Sequence, residues 1–140
     1  MPFHFKMQKV LDYREQLEEE AKVDLALKQR LLEDARALFE RLKTELRQSE
    51  DRLFQAALAP QGERWLMEQY IKGLKGDVAN AAMQTRMNEQ LVDEARKMLA
   101  ARAIERKLLE KLKERQNLQY LREEQLKEQR VNDETATLRY

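Results

Sequence analysis

Hydrophobic residues recur every three or four positions along nearly the whole chain, and a single break divides this pattern into two parts. The break is the segment Ala59-Pro60-Gln61-Gly62, which holds the only proline besides Pro2 and the first of the three glycines. Proline costs a helix interior about 3 kcal/mol and glycine about 1, so long stretches without them favour continuous helix. The pattern predicts two long amphipathic helices, at about 3–58 and 63–135, joined by a turn at 59–62.

The first predicted helix carries a heptad pattern of apolar residues from Ala21 onward. This spacing keeps one stripe of side chains facing a partner helix, as in a left-handed coiled coil. Upstream, the apolar residues are Val10, Tyr13 and Leu17, and their spacing predicts a stutter before the regular repeat, where the supercoil relaxes. The seam residues assigned to this helix are Leu25, Leu32, Phe39, Leu42, Leu46 and Leu53.

The second predicted helix has its strongest apolar stripe next to the turn. Arg102 falls on the projected line of the stripe, so we expect a register shift there. Farther on, apolar residues are widely spaced among charges, and we expect the last twenty residues to fray. The seam residues assigned to this helix are Ile71, Val78, Leu91, Met98, Leu108 and Leu112.

The tight turn and the charge pattern both predict an antiparallel arrangement. Residues 12–24 carry a net charge of −4 and residues 96–130 a net charge of +5, and a hairpin places these segments side by side. Exposed ion pairs contribute only about 0–1 kcal/mol each, so they set orientation more than stability. The predicted fold is all-α: a rod-like antiparallel two-helix coiled-coil hairpin forming a single domain over residues 1–140.

Composition argues against catalysis and for an intracellular protein. Charged residues make up 38% of the chain and aromatic residues 6%, which is typical of coiled coils. Cysteine is absent, and His4, the only histidine, has no partner set for a metal site or a nucleophile–base pair. The net charge of +1 gives no general attraction to nucleic acid. We therefore expect no enzyme activity, no cofactor, no metal, no small-molecule substrate and no nucleic-acid partner.

Two features of the second helix allow a structural and a functional interpretation. Gly73 and Gly76 have the spacing of a KH-domain loop, but the surrounding α/β domain is missing, so that match is accidental. They either represent tolerated slack in a long helix or allow a close approach or a bend. The methionines of the stripe either fill the seam or form a surface that accommodates several partners.

Both ends of the chain and the segment after the turn resemble FliJ-type flagellar export proteins. The opening residues 3–15, FHFKMQKVLDYRE, are similar to the N-terminus of that family. The segment Glu63-Arg64-Trp65 running to Tyr70, Ile71 and Leu74 resembles the family segment just after the turn. The tail is similar in residues 105–115, at Tyr120 and in residues 128–134. The resemblance spans essentially the full length.

The resemblance implies a component of the flagellar type III export apparatus with the fold of the central stalk of rotary ATPases. The implied partners are the export ATPase ring, the cytoplasmic domain of the export gate, and export chaperones. The implied location is the cytoplasm, peripherally at the inner membrane of the flagellar base. Tyr70 and Leu74 fall at positions of the family's gate contact, whereas its first-helix tyrosines have no equivalents around Leu42 and Leu46. Trp65 adds more apolar surface near the turn than a two-stranded seam requires.

Two other functions compete with this interpretation. A generic coiled-coil chaperone or scaffold, such as the stalk counterpart in virulence type III secretion, fits the same pattern. A peripheral nucleic-acid binder would use the basic tail, but six glutamates are interleaved with its bases and Tyr120 is its only aromatic residue before the terminus.

Overall fold

A computed structural model describes residues 2–139, which form two α-helices packed against each other. Helix α1 spans Gln8–Gln55, with 48 residues, and helix α2 spans Gln61–Arg139, with 79 residues. The Asn88 amide donates to the carbonyl of Leu31, and the Tyr70 hydroxyl donates to the Glu45 carboxylate. Residues of α1 that are nearer the turn thus contact residues of α2 that are nearer the turn, so the helices are antiparallel. The predicted all-α helical hairpin is confirmed.

The first helix begins later than predicted, because the aromatic residues before it fold onto the hairpin instead of joining the helix. The backbone N–H of Gln8 donates to the carbonyl of Phe5 at 3.1 Å, which makes a turn before the helix. Phe5 is buried and packs with Leu11 and Leu109. Burial of the Phe5 ring stabilises this non-helical start of the chain, because a continued helix would have directed the ring away from the core.

The turn is closed by one arginine side chain and needs no left-handed residue. Helix α1 ends at Gln55 with a tightened last turn, in which the Ala56 N–H is shared between the carbonyls of Arg52 and Leu53. The Arg64 guanidinium donates to the carbonyl of Ala57 at 2.7 Å and satisfies a group that the helix end leaves open. Gly62 lies inside the first turn of α2, and no glycine has a positive φ. The second helix therefore starts before the predicted residue 63.

The far end of α2 is also longer than predicted. The helix continues to Arg139 instead of ending near residue 135. The Thr135 and Thr137 hydroxyls donate to the carbonyls four residues earlier, Val131 and Asp133, at 2.8 and 2.9 Å. All side chains from residue 125 to residue 139 are exposed. The structure has this segment as helix, and the expected fraying of its end stays a prediction.

Packing divides the chain into two compact units, and each contains part of both helices. The terminal unit comprises Met1–Ala21 and Leu99–Tyr140, and the turn unit comprises Lys22–Met98. The assignment of the whole chain to a single domain stays a prediction.

The terminal unit has a small aromatic and aliphatic core bordered by a charged layer. Phe3 and Leu112 pack against the core of Phe5, Leu11 and Leu109, and the Phe3 ring lies 5.7 Å from that of Tyr120. In the next layer the guanidinium of Arg106 is paired with the carboxylates of Glu18 and Glu110, and Glu18 is buried. These carboxylates raise the pKa of Arg106 above its ordinary value, chiefly through the hydrogen bond to Glu18.

The seam of α1 in the terminal unit differs from the predicted one. The residues that continue the 4-3 spacing of the seam toward the N-terminus are buried or half-buried: Leu11, Arg14, Glu18 and Ala21. The predicted positions Val10 and Tyr13 are exposed. The Arg14 side chain reaches across to the carbonyl of Glu105 at 2.9 Å. The predicted stutter is therefore wrong: the heptad continues through charged residues that are satisfied across the interface.

The turn unit keeps a strict heptad on both helices. On α1 the buried or half-buried seam residues are Leu25, Lys28, Leu32, Ala35, Phe39, Leu42, Leu46, Ser49 and Leu53. On α2 they are Met67, Ile71, Leu74, Val78, Ala81, Thr85, Asn88, Val92 and Ala95. The Thr85 hydroxyl donates to the carbonyl of Ala81, and the Asn88 amide to that of Leu31, so both polar residues are satisfied.

Three seam residues predicted for α2 lie outside the interface. Leu91, Met98 and Leu108 are exposed, so their assignment to the seam is wrong. The large hydrophobic residues of α2 depart from the seam beyond Ala81, whereas the seam keeps the register set by Ile71. Leu112 is half-buried against the terminal core.

Candidate partner-binding surface

The three residues predicted for partner binding divide into two exposed side chains and one buried one. Trp65 is 57% exposed and Tyr70 is 52% exposed, whereas Leu74 is 5% exposed. Ile71 and Leu74 occupy neighbouring seam positions of α2 and pack toward α1. Leu74 is therefore a supporting residue beneath the surface, and the expectation that it lies on the binding surface needs correction.

Tyr70 is held in place by a hydrogen bond across the hairpin. Its hydroxyl donates to the carboxylate of Glu45, which lies on α1. This hydrogen bond is the main cause that raises the pKa of Tyr70, followed by desolvation and by the charge of Glu45, while Arg52 acts in the opposite direction. With its hydroxyl engaged, the ring of Tyr70 presents a fixed apolar face to the solvent.

Further exposed hydrophobic residues surround the turn. Phe54, Leu58 and Leu66 are exposed in the same part of the chain as Trp65. A cavity of about 420 Å³ lies between the end of α1 and the start of α2, and Trp65 and Arg64 line it. Exposed apolar surface commonly marks a binding site, so the exposed aromatic and aliphatic side chains at this end of the hairpin are candidates for partner contacts. We call Phe54, Leu58, Trp65, Leu66 and Tyr70 the turn surface.

A second exposed apolar stripe runs along one flank of the turn unit, and sequence reasoning placed its α2 half in the seam. On α1, Leu31 and Leu38 lie two and one heptads before Glu45, so they share its side of the helix. On α2, Leu91 and Met98 lie three and four heptads after Tyr70. Because Glu45 and Tyr70 contact each other, both halves of the stripe lie on the same flank. The exposed residues of this methionine flank are Leu27, Leu31, Leu38, Met87, Leu91 and Met98.

The described residues offer little for chemistry. They contain no group of three or more His, Asp or Glu side chains arranged to hold a metal ion. No helix among them is long and apolar enough to cross a membrane. An added Cβ at Gly73 or Gly76 would meet nothing within 4 Å, so neither glycine accommodates a close approach within the hairpin.

Comparison with known proteins identifies the family. The sequence profile described as the flagellar FliJ protein matches residues 3–140, nearly the whole chain. No curated protein and no solved structure shows a significant match. The match agrees with the all-α hairpin and with the resemblance of both ends of the chain. The chain belongs to the FliJ family and is a component of the flagellar protein export apparatus.

Proposed function

We propose that this protein couples the export ATPase ring to the export gate, and that it assists the export chaperones. In this proposal it acts without chemistry of its own, by holding partners on separate surfaces. The observation that carries the proposal is the turn surface, where Trp65 and Tyr70 are exposed beside a well-packed seam.

The turn surface supports the gate contact. Trp and Tyr are enriched among the residues that dominate binding energy at interfaces, because each buries a large rigid area at a low entropic cost. Tyr70 is oriented in advance by Glu45, which reduces the cost of ordering it on binding. The gate's cytoplasmic domain would cover these two rings, and Leu74, one helical turn after Tyr70, would support the Tyr70 ring from below.

The tail of α2 supports the ATPase contact. Residues 125–139 form helix with exposed side chains, and an isolated helix of this length is marginal in water. A partner that packs against the tail would stabilise it. Its apolar residues Leu126, Val131 and Leu138 are exposed among charges, which suits a mixed polar and apolar interface.

The methionine flank supports a role in chaperone cycling. Methionine side chains adapt to different shapes, and surfaces rich in methionine are used by proteins that bind several partners. Met87, Leu91 and Met98 are all exposed, which leaves them available to such partners. Met87→Glu together with Leu91→Glu should abolish chaperone binding while gate binding holds; loss of both or of neither would count against this assignment.

Isothermal titration against the purified gate domain and the ATPase tests the coupling proposal. Trp65→Ala should weaken gate binding by at least tenfold, because an interface hot spot contributes about 2 kcal/mol or more. Trp65→Phe is the matched control, since it keeps an aromatic ring at this position and should keep most of the affinity. Truncation after Arg122 should impair ATPase binding and leave gate binding intact. Gate affinity that Trp65→Ala leaves unchanged would remove the turn surface from the proposal.

A further inference from the structure

A small notch beside the turn surface contains a buried hydroxyl that has no partner. Ser49 is 6% exposed, and its Oγ forms no hydrogen bond with any protein group that the structure describes. It lies at a cavity of about 80 Å³ lined by Ser49, Arg52, Met67 and Tyr70, which we call the Ser49 notch. Buried polar groups are nearly always satisfied, so an orphaned hydroxyl at a cavity points to a ligand that completes it.

The notch also contains a cation that the hairpin does not neutralise. Arg52 is exposed and forms no ion pair with the residues described in the structure. Its guanidinium carries five N–H donors and no acceptor, so it can bind only acceptor groups. Arg52 is close enough to Tyr70 to act on the pKa of that residue electrostatically.

The remaining walls decide which acceptor fits. Met67 is half-buried and apolar, and the Tyr70 hydroxyl already donates to Glu45, so Tyr70 contributes its ring to the wall. Two acids act on the pKa of Tyr70: Glu45, which is engaged by the Tyr70 hydroxyl, and Asp77. An incoming anion would therefore depend on Arg52 and on the hydroxyl of Ser49 for its stabilisation.

We propose that the Ser49 notch binds the carboxylate of an acidic residue from a partner segment, with apolar neighbours of that residue covering Met67 and Tyr70. Arg52 donates a charge-assisted hydrogen bond and Ser49 donates a second one. The identity of the partner rests on the proposed function, which makes it the export gate. The chemistry of the notch stands on the geometry alone.

A pair of probe peptides tests the notch without any biological partner. Acetyl-Leu-Glu-Leu-amide is titrated into the full chain up to its solubility limit, and the resonances of the Met67 methyl and the Arg52 guanidinium are followed by NMR. The glutamate peptide should shift both resonances, and the matched glutamine peptide should bind at least tenfold more weakly. Equal binding of the two peptides, or no shift with either, would overturn the proposal.

Variants of the two donors separate the notch from general electrostatics. Arg52→Gln should abolish the shift of Met67, and Ser49→Ala should weaken binding severalfold. Arg47→Gln is the matched control, because Arg47 is also an exposed arginine of α1 and lines a different cavity. Arg52 lies in the last turn of α1, so circular dichroism must confirm that Arg52→Gln remains folded. An Arg47→Gln effect equal to that of Arg52→Gln would show that only overall charge matters.

The gate domain then distinguishes failure of the notch from failure of the proposed function. If the wild-type protein does not bind the gate, the proposed function is wrong, while the peptide titration still decides the notch. If the gate binds and Arg52→Gln leaves its affinity unchanged, the gate does not use the notch. Loss of affinity in Arg52→Gln, restored in part by Arg52→Lys, is the result that we expect.

Discussion

Replacing Leu74 by alanine should destabilise the hairpin, although the sequence alone placed this residue on a binding surface. Leu74 is 5% exposed and lies in the seam next to Ile71. The substitution removes three carbons, and each buried carbon contributes about 0.8 kcal/mol to burial, so the transfer loss is about 2.4 kcal/mol. The cavity left behind adds to this loss, although the edge of a two-helix interface can partly collapse. We expect the free energy of unfolding to fall by about 3 kcal/mol.

Urea denaturation followed by circular dichroism measures this change. The matched control is Leu66→Ala, since Leu66 is a leucine of the same helix that lies exposed on the turn surface. Surface substitutions usually change stability by less than about 0.5 kcal/mol, so the control should unfold like the wild-type protein. Equal losses in both variants, or no loss in Leu74→Ala, would refute the register that the structure assigns to α2.

Three further predictions concern a glycine, a charged layer and a tyrosine. Gly73→Ala should raise the free energy of unfolding in urea by about 1 kcal/mol, because its Cβ would meet nothing within 4 Å; a decrease would contradict this. Glu18→Ala or Arg106→Ala alone should lower the melting temperature, whereas Glu18→Leu with Arg106→Leu should restore it; a double variant as unstable as the sum of the single ones would disagree. Glu45→Ala removes both the acceptor and the charge and should lower the pKa of Tyr70 in a carbon-13 NMR titration; an unchanged pKa would rule out Glu45 as the cause of the shift. Because folding raises that pKa above its unfolded value of about 10, the hydrogen bond stabilises the protein fully below that pH, and this stabilisation is lost as pH rises through the folded pKa.

The fold could be predicted because its determinants are local in the sequence. A proline at one break and heptads of leucine on α1 are enough to indicate two antiparallel helices. The family could also be predicted, since the residues at both ends of the chain carry it. The position of the aromatic start was missed, because burial of Phe5 depends on Leu109, which is far away in the sequence.

The face of α2 was harder to predict because hydrophobicity and register disagree beyond Ala81. Thr85, Asn88 and small residues fill the seam there. The Thr85 hydroxyl donates to a carbonyl of the same helix, and the Asn88 amide donates to a carbonyl of α1. The larger apolar residues Met87 and Leu91 lie on the exposed flank. A strict 4-3 spacing that starts at Ile71 and continues through the polar residues predicts the observed seam. It also assigns Met87 and Leu91 to the exposed surface. The same register places Leu74 in the seam and Tyr70 on the exposed surface.

Site-specific photo-crosslinking in motile cells, with a photoreactive phenylalanine at position 65, tests the contact between the turn surface and the export gate. Position 65 lies on the turn surface, and position 23 on α1, occupied by the exposed Val23, is the control away from it. We expect the probe at position 65 to crosslink to the export gate and the probe at position 23 to give no gate product. A probe at position 65 that captures the ATPase instead of the gate, or that gives no more gate product than position 23, would contradict the account.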